Sequence, residues 1–247
     1  STFNSIPFNR LVRLNTNGAV DAAFTGLGAG PNDRVNAVAV YTANNAPNTN
    51  LIGKILIAGA FTAVNGTPSS RICRLNSDGS VDSSFTGLGA GADGDIFALA
   101  IQPDGLIVVG GAFANIDIYA RSGLARLNPD GSVDSSFTPG AGTDDAVNVI
   151  TLQPDGRMLI GGLFTTYNKT RRMGVARLLT NGLLDTSFMD TVYNQFAGLT
   201  QPLSTMPKSG CFAIAQETNG NVVIGGSFTR VGGGFGRYHN AVTLGLF

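Results

Sequence analysis

The chain has 247 residues, and its 16 basic and 16 acidic side chains leave no formal net charge. This balance provides no long-range attraction for nucleic acid or anionic lipid, so we expect neither as a partner. The 34 glycines and the 13 % of charged residues favour short strands and tight turns, while 43 % hydrophobic residues is too much for a disordered chain. No apolar run reaches the roughly 18–20 residues of a membrane span, so we expect no membrane insertion.

An internal repeat organises the sequence. The segment RLNSDGSVDSSF at residues 74–85 returns as RLNPDGSVDSSF at residues 126–137, with weaker copies at 13–24 and 177–188. The phenylalanines that close a second repeated run, such as ALAIQPDGLIVVGGAF at residues 98–113, stand at 61, 113, 164 and 228, which gives spacings of 52, 51 and 64. We therefore predict one β-propeller domain over residues 1–247, since stacked repeats of this length are typical of propellers. Its units are residues 1–24 (partial), 36–85, 96–137, 147–188 and 211–247 (partial).

Each unit is predicted to be an all-β blade of four short strands, a to d. Strand a ends at Ile101 or Leu152, and strand b covers residues 106–110 or 157–161. Strand c covers residues 124–128 and strand d residues 132–137. Asp-Gly and Asn-Gly pairs mark the turns between these strands. One blade cannot bury both faces of its sheet, so neighbouring blades must stack.

The turn between strands c and d predicts an ion pair in each repeat. If residues 77–79 form a three-residue loop with Gly79 in the left-handed conformation, Arg74 faces Asp82 across the hairpin. The same offset recurs four times, and a recurring cross-strand pair of opposite charge indicates a structural role rather than catalysis. The predicted pairs are Arg13 with Asp21, Arg74 with Asp82, Arg126 with Asp134, and Arg177 with Asp185.

These motifs resemble a known family. The run LQPDGRMLIGGLF at 152–164, followed by VARL at 175–178 and LDTSF at 184–188, is similar to the delta-60 type β-propeller repeat family. The resemblance covers nearly the whole chain. It implies a propeller from large bacterial surface or secreted proteins or from phage proteins, with no established enzymatic activity and no catalytic residues to transfer. The chain departs from the pattern in residues 189–210 and after residue 240.

Closure of the ring can be predicted by counting strands. The chain supplies four copies of strands a, b and d and five of strand c. We predict a ring of four blades in which the N-terminal strands complete the last blade. The spare strand is either residues 239–247 as an added edge or a contact with another chain. A ring of five blades is the alternative. Open sheet edges invite pairing, so closure or a partner is expected.

The connections between strands b and c vary most among the repeats, and equivalent propeller loops emerge on one rim. Arg and Tyr, which dominate binding hot spots, are frequent in residues 62–71, 114–122, 165–173 and 229–240. This composition indicates that the rim is a partner-binding surface. The simpler interpretation is that these are ordinary solvated loop residues. Its candidate residues are Arg71, Tyr119, Arg121, Tyr167, Arg171, Arg172, Arg230, Phe235, Arg237 and Tyr238.

The sequence favours neither a cofactor nor a metal site. His239 is the only histidine, which excludes a multi-histidine metal site, and the Asp-rich turns lack the terminal Glu of a calcium loop. Cys73 and Cys211 occupy unlike strands, so we expect two buried thiols rather than a disulfide. The apolar insertion at residues 189–210 should either cover a blade or contact another subunit.

The resulting expectation is a non-catalytic scaffold that presents its loops for protein or glycan contact, as a virion (phage-like) or bacterial surface component. The start at Ser1 would fit removal of an initiator Met and would fit cleavage of a signal peptide equally well. The alternative is a secreted, lectin-like propeller that binds carbohydrate. The two hypotheses differ in their partner: a larger protein assembly, which includes other copies of the chain, for the first, and a sugar for the second.

Overall fold

A computed structural model describes residues 2–3, 6–7, 9–189, 198–200, 209–231 and 241–244. Its main elements are four three-stranded antiparallel sheets, here called blades A to D. Blade A consists of β3 (Val35–Val40), β4 (Ile55–Gly59) and β7 (Ile72–Leu75), blade B of β8 (Ile96–Ile101), β9 (Ile107–Gly111) and β12 (Leu124–Leu127), blade C of β13 (Val147–Leu152), β14 (Met158–Gly162) and β17 (Val175–Leu178), and blade D of β19 (Cys211–Gln216), β20 (Val222–Gly226) and β22 (Ala241–Leu244).

Short two-stranded hairpins accompany the blades. They pair β1 (Thr2–Phe3) with β2 (Ile6–Pro7), β5 (Ala63–Val64) with β6 (Thr67–Pro68), β10 (Asn115–Ile116) with β11 (Tyr119–Ala120), β15 (Thr166–Tyr167) with β16 (Thr170–Arg171), and β18 (Leu199–Thr200) with β21 (Arg230–Val231). One 3-10 helix spans Thr49–Leu51 within the insertion between β3 and β4. No helix in the described ranges is long and apolar enough to span a membrane.

The strands agree closely with the sequence prediction except for strand d. Strands a end at Ile101 and Leu152 as predicted, and strands b and c differ by about one residue at their ends. Strand d, predicted over residues 132–137, is reduced to a single bridge between Leu127 and Val133. The reason is local: the Asp134 carboxylate accepts hydrogen bonds from the Ser136 backbone and hydroxyl, and this turn ends the strand.

Stacking of the blades forms the core. Inner strand β3 packs against β8, β8 against β13, and β13 against β19. Leu56 and Ala58 of blade A share one buried cluster with Ile107 and Val109 of blade B. The far face of blade B continues the series, because Val108 packs with residues of blade C. Burial on both sheet faces explains why the strands read as nearly continuous apolar runs rather than alternating ones.

The predicted closure of the ring differs from the structure. The outer edge of β20, which the N-terminal strands were expected to complete, is occupied by β22, with Val222 opposite Leu244. The N-terminal hairpin, residues 11–24, instead packs on blade A, where Leu11 and Phe24 lie against the buried cluster of Ile57 and Leu75. A closed ring is not detected among the described residues. The described part of the predicted spare strand at residues 239–247 is β22 itself.

Candidate functional site

The recurring Arg–Asp pairs form the joints between blades. In all four repeats the Arg Nε lies 2.7–2.8 Å from an Asp Oδ2. The guanidinium also covers the ring of the phenylalanine that ends the motif, at 4.7–4.9 Å from the ring centroid. In three of these pairs Nη1 of the arginine also donates to a carbonyl oxygen in the next repeat: Arg13 to Ser77, Arg74 to Pro129, and Arg126 to Thr180 at 2.6 Å. Each of these three pairs thus holds its own hairpin and the following one together.

Hydrogen bonds within these pairs lower the pKa of the Asp carboxyl groups. Burial alone would raise the pKa of Asp82, but hydrogen bonds from Lys54, Ser84 and Arg74 lower it well below its ordinary value. Asp134 and Asp185 follow the same pattern: burial opposes ionisation, while a serine and an arginine lower the pKa of each carboxyl. Carboxylates with all these partners are poor proton donors at neutral pH.

The loops between strands b and c form one rim, built in the same way in blades A, B and C. Each hairpin turns at a left-handed residue: Asn65, Asp117 or Asn168. Its side-chain oxygen accepts a hydrogen bond from the backbone of the loop that precedes strand a, and its backbone N–H donates to that same loop. For Asp117 the partners are Ala90 N at 3.1 Å and Gly91 O at 2.7 Å.

A second tie fixes the base of each hairpin to the same loop. Oδ1 of Asn32, Asp93 and Asp144 accepts two successive backbone N–H groups where each hairpin starts. Because both ends of the hairpin are hydrogen-bonded to this loop, the conformation of the tip is fixed. Such preorganisation lowers the entropy cost of binding.

The tip of the blade B hairpin differs from its neighbours. Ile118 is 83 % exposed and Tyr119 42 % exposed. The guanidinium of Arg121 lies 5.8 Å from the centre of the Tyr119 ring. The residues equivalent to Ile118 are Gly66 and Lys169, and those equivalent to Tyr119 are Thr67 and Thr170. Ile118 was missed at the sequence level because a single apolar residue in a turn gives no periodic signal.

Two of the predicted rim residues are buried. Tyr167 is fully buried in the cluster of blade C, and its hydroxyl donates to the Gly182 carbonyl at 2.5 Å. Arg172 is 8 % exposed. Tyr167 therefore anchors its hairpin, as the aliphatic residues Val64 and Ile116 do at the equivalent positions, and neither it nor Arg172 presents a free surface. The prediction of these two as partner-contacting residues is corrected accordingly.

The other rim candidates have different surroundings. Arg71 occupies a left-handed backbone position, φ 72°, and its Nε lies 3.8 Å from Asp95 on the next blade. Arg171 is exposed near Met173, while Arg230 lies on β21 opposite Thr200. Phe235, Arg237, Tyr238 and the single His239 lie outside the described residues.

A cleft of about 590 Å³ opens beside the blade A hairpin. Hydroxyl groups of Thr67, Ser69, Ser70 and Thr86 line it, together with the ring of Phe85. Within the described ranges, no group of three or more His, Cys, Asp or Glu side chains is placed to hold a metal ion. The two thiols are free and buried, and burial raises the pKa of Cys73 to about 11 and that of Cys211 to about 12.

Part of the insertion at residues 189–210 covers a blade. Leu199 is fully buried in a cluster with Leu159 and Val175 of blade C. Its backbone N–H donates to the Met173 carbonyl at 2.7 Å. Tyr193, Phe196, Leu203 and Met206, which made the insertion apolar, lie outside the described residues.

Repeated antiparallel blades stacked through their inner strands define the class of protein: the fold is of the β-propeller type. The chain belongs to the beta-propeller family described as a domain of unknown function (DUF5122), whose model matches residues 1–24, 53–85, 102–137 and 153–188, just over half of the sequence. The matched segments contain the Arg–Asp hairpins and the Asp-Gly turns.

Among solved structures, the chain is similar to the WD40 β-propeller domain of Doa1, with 18 % sequence identity and a TM-score of 0.48. The likeness covers 86 % of this chain and 50 % of that one, so this chain spans half the length of that structure. No curated protein matches the chain.

Proposed function

We propose that the protein is a non-catalytic β-propeller scaffold that binds a protein partner through its rim. The observation that carries the proposal is the tip of the blade B hairpin, where Ile118 and Tyr119 stand exposed beside the half-buried Arg121 on a backbone fixed at both ends. An exposed aliphatic residue beside an aromatic residue and an arginine is the composition of a protein-binding hot spot. The neutral chain has no charge surplus to favour a nucleic acid instead.

The absence of a catalytic role is part of the proposal. The carboxylates repeated in blades A, B and C are occupied by Arg and Ser partners, which supports a structural use for them. We also propose that the chain is of the delta-60 type and serves as a component of a virion or of a bacterial surface. Immunoblotting of purified particles and of cell-envelope fractions from the source tests the location, and a signal confined to soluble cytoplasm would contradict it.

The rim proposal is tested by converting one native tip into another. The double variant Ile118→Lys, Tyr119→Thr gives the blade B hairpin the tip residues of blade C, so the fold should be retained. Immobilised chain and variant are each incubated with extract of the source organism, and bound proteins are quantified by mass spectrometry. We expect the main bound protein to fall by at least about tenfold, since a hot-spot residue contributes roughly 2 kcal/mol or more.

The matched control for this experiment is Ile52→Lys, a half-exposed site in the insertion between β3 and β4, at the end of blade A opposite the rim. It should leave capture of the partner unchanged. Equal capture by wild type and the rim variant would contradict the proposal that this tip binds the partner.

A carbohydrate-binding role is the second candidate, and the cleft beside the blade A hairpin favours it. Hydroxyl groups surrounding an aromatic ring can hydrogen-bond and stack on a sugar. A glycan array followed by calorimetry with Ser70→Val tests this. Binding that persists in the variant would place the sugar elsewhere, and the absence of any array signal would contradict the role.

A further inference from the structure

Neighbouring blades meet on the rim side at junctions that share one plan, here called junctions A/B, B/C and C/D. In each, the base of the b–c hairpin of one blade faces the loop before strand a of the next. The Ala92 N–H donates to the Ser70 carbonyl at 3.3 Å in junction A/B, and the Thr143 N–H donates to the Ser122 carbonyl at 3.0 Å in junction B/C. Because these bonds occupy the same place in the repeat, the residues around them correspond one to one.

Junction A/B is filled by an arginine. Arg71 has a left-handed backbone, φ 72°, and its side chain is 23 % exposed. Its Nη1 donates to the Ala60 carbonyl, and its Nε lies 3.8 Å from Oδ1 of Asp95 on the next blade. This junction therefore provides a carbonyl group and a carboxylate that together hold a guanidinium.

Junction B/C has a pocket where junction A/B has this arginine. Gly123 replaces Arg71 with nearly the same backbone, φ 70°, and Ala146 replaces Asp95. The pocket has a volume of about 210 Å³, smaller than the roughly 300–1,000 Å³ of a site for a drug-sized molecule, so its size suits a single side chain. The residues that line it include Ala112, Ser122, Gly123, Asp144, Asp145 and Ala146.

The wall of this pocket offers a hydrogen-bond acceptor without a donor. Ala112 corresponds to Ala60, but Ala60 is buried whereas Ala112 is exposed. Within the described part of the chain, no N–H or O–H group donates to the Ala112 carbonyl, while the Ala60 carbonyl accepts from Arg71. The acceptor that holds a guanidinium in junction A/B is therefore repeated in junction B/C and is open to a donor from outside.

Two carboxylates give the pocket its charge. Asp144 and Asp145 both line it. Burial alone would raise the pKa of Asp144, but hydrogen bonds from Thr165 and Thr166 lower it below its ordinary value, so Asp144 is ionised at neutral pH. The pocket therefore favours a cationic group. In the described ranges, no cluster of three or more His, Cys, Asp or Glu side chains is placed to favour a metal ion over an organic cation.

Junction C/D is filled in another way. Leu163, in the place of Ala112, lies against Gly210, and Leu199 of the insertion lies against Gly174. These aliphatic side chains occupy the space that Arg71 occupies in junction A/B. Among the described residues of the three junctions, side chains of the protein itself thus fill A/B and C/D and leave B/C open.

We propose that the pocket of junction B/C, called the junction pocket, binds the guanidinium group of an arginine from the protein partner. The Ala112 carbonyl and the two carboxylates would hold this group, as their counterparts hold Arg71 in junction A/B. An arginine suits the pocket better than a lysine. Its planar group presents several N–H donors in fixed directions, so it can bond a carbonyl and a carboxylate together.

This inference rests on the proposed function, since it names one contact of the same partner. Ala114 and Ser122 line the pocket and form the base of the hairpin whose tip carries Ile118 and Tyr119. About four residues of strand, roughly 13 Å, separate the base from the tip. A single partner can therefore cover the tip and place an arginine in the pocket.

The probe for the test is N-acetyl-arginine N-methylamide, added to the full, isotopically labelled chain and followed by NMR. We expect saturable shifts of the amide signals of Ala112, Gly123 and Ala146, with a dissociation constant in the millimolar range. The corresponding citrulline compound, which has nearly the same shape without the charge, should cause no saturable shift. The amides of Ala60 and Arg71 are the internal control, because their junction is already filled.

The first variant removes a charge by using a residue that the chain already has at the equivalent position. Asp144→Asn copies blade A, where Oδ1 of Asn32 accepts the same two backbone N–H groups at the start of the hairpin. The hairpin therefore stays tied to its loop while the charge is lost. Binding of the arginine probe should weaken by about threefold or more.

The second variant fills the pocket from within. Gly123→Arg, Thr143→Ala and Ala146→Asp together build junction A/B into the place of junction B/C. The backbone at Gly123 already has the conformation of Arg71, and Thr143→Ala removes the hydroxyl group that a Cβ at Gly123 would meet. The fold should be retained, and probe binding should fall by at least about tenfold.

Two results would overturn the inference. One is the absence of saturable shifts at the pocket amides with the arginine probe, or equal shifts with the citrulline compound. The other is full capture of the partner from extract by the triple variant, when the tip variant Ile118→Lys, Tyr119→Thr loses it. Failure of the tip proposal would look different: the tip variant would capture the partner like the wild type, while the triple variant would not.

Discussion

The same ion-pair motif lies in two different environments at the two ends of residues 11–85. Arg74 and Asp82 of blade A are enclosed, with side-chain exposures of 3 % and 5 %, whereas Arg13 and Asp21 of the N-terminal hairpin are 34 % and 21 % exposed. The Nε to Oδ2 distances agree within 0.1 Å, at 2.7 and 2.8 Å. Bond geometry is therefore set by the local sequence, while the energetic value of the pair is set by what surrounds it.

Removing one partner of each pair should give the largest contrast. We expect Asp82→Ala to lower the free energy of unfolding by about 3–5 kcal/mol, because it leaves Arg74 and Lys54 without their shared carboxylate in a buried site. Asp21→Ala should cost much less, since water replaces the lost partner. Urea denaturation of both variants measures the difference. Equal losses would show that the exposed hairpin is as tightly built as the interior.

Removing the aliphatic side chain next to each arginine tests the same contrast through packing. Leu75→Ala should cost about 2–4 kcal/mol, because Leu75 is fully buried. Leu14→Ala should cost less than about 1 kcal/mol, because 44 % of Leu14 is already exposed. The midpoints of thermal unfolding of the two variants and the wild type provide the measurement. A large loss in Leu14→Ala would mean that Leu14 is covered in solution.

Acid should affect the enclosed pair more than the exposed pair. Asp82 has a pKa lowered in the folded protein from an ordinary 3.8, so its stabilising contribution is fully present above about pH 4. Below that pH the unfolded chain binds protons first, and the contribution is lost as the pH falls toward the folded pKa. Denaturation midpoints at about pH 6, 4, 3 and 2 should fall less steeply in Asp82→Ala than in wild type. Asp21→Ala should follow the wild-type profile more closely.

Salt should produce the smallest effect. A double-mutant cycle on Arg13 and Asp21 should show a small coupling energy that falls when about 1 M NaCl is added, because exposed charges are screened. The equivalent cycle on Arg74 and Asp82 should change less, because salt ions cannot reach the buried pair. A coupling energy for Arg13 and Asp21 that does not change with salt would contradict the conclusion that this pair is more exposed to solvent than Arg74 and Asp82.

Much of the blade could be predicted from sequence because its signals are local. The Asp-Gly turns set the c–d hairpins: Gly79 adopts φ 93°, Leu75 is bridged to Val81, and Nε of Arg74 lies 2.7 Å from Oδ2 of Asp82. Strands a and b followed from apolar runs between these turns. Strand d was overestimated because the Asp134 turn competes with strand pairing over the same residues, and sequence periodicity does not reveal which one prevails.

The candidate site was less predictable than the fold. The sequence repeat identified the connections between strands b and c as one group, but it did not give the orientation of each side chain. Tyr167 was expected at the surface because tyrosine is common in binding loops, yet its ring fills the space that Val64 and Ile116 fill in the other blades. Ile118 was missed for the opposite reason, since nothing in its neighbours along the chain indicates that an isoleucine will be exposed.

The amino-acid sequence by itself determined the repeat, the turns and the Arg–Asp hairpins, because each depends on residues within about a dozen positions of one another. Only the tertiary structure decided which face of each strand is covered, which rim residues are buried, and that β22 rather than the N-terminal hairpin completes blade D. These outcomes depend on contacts between separate repeats. Because the repeats have nearly the same sequence, the preference for one neighbour over another is not encoded locally and is settled only when all the blades pack together.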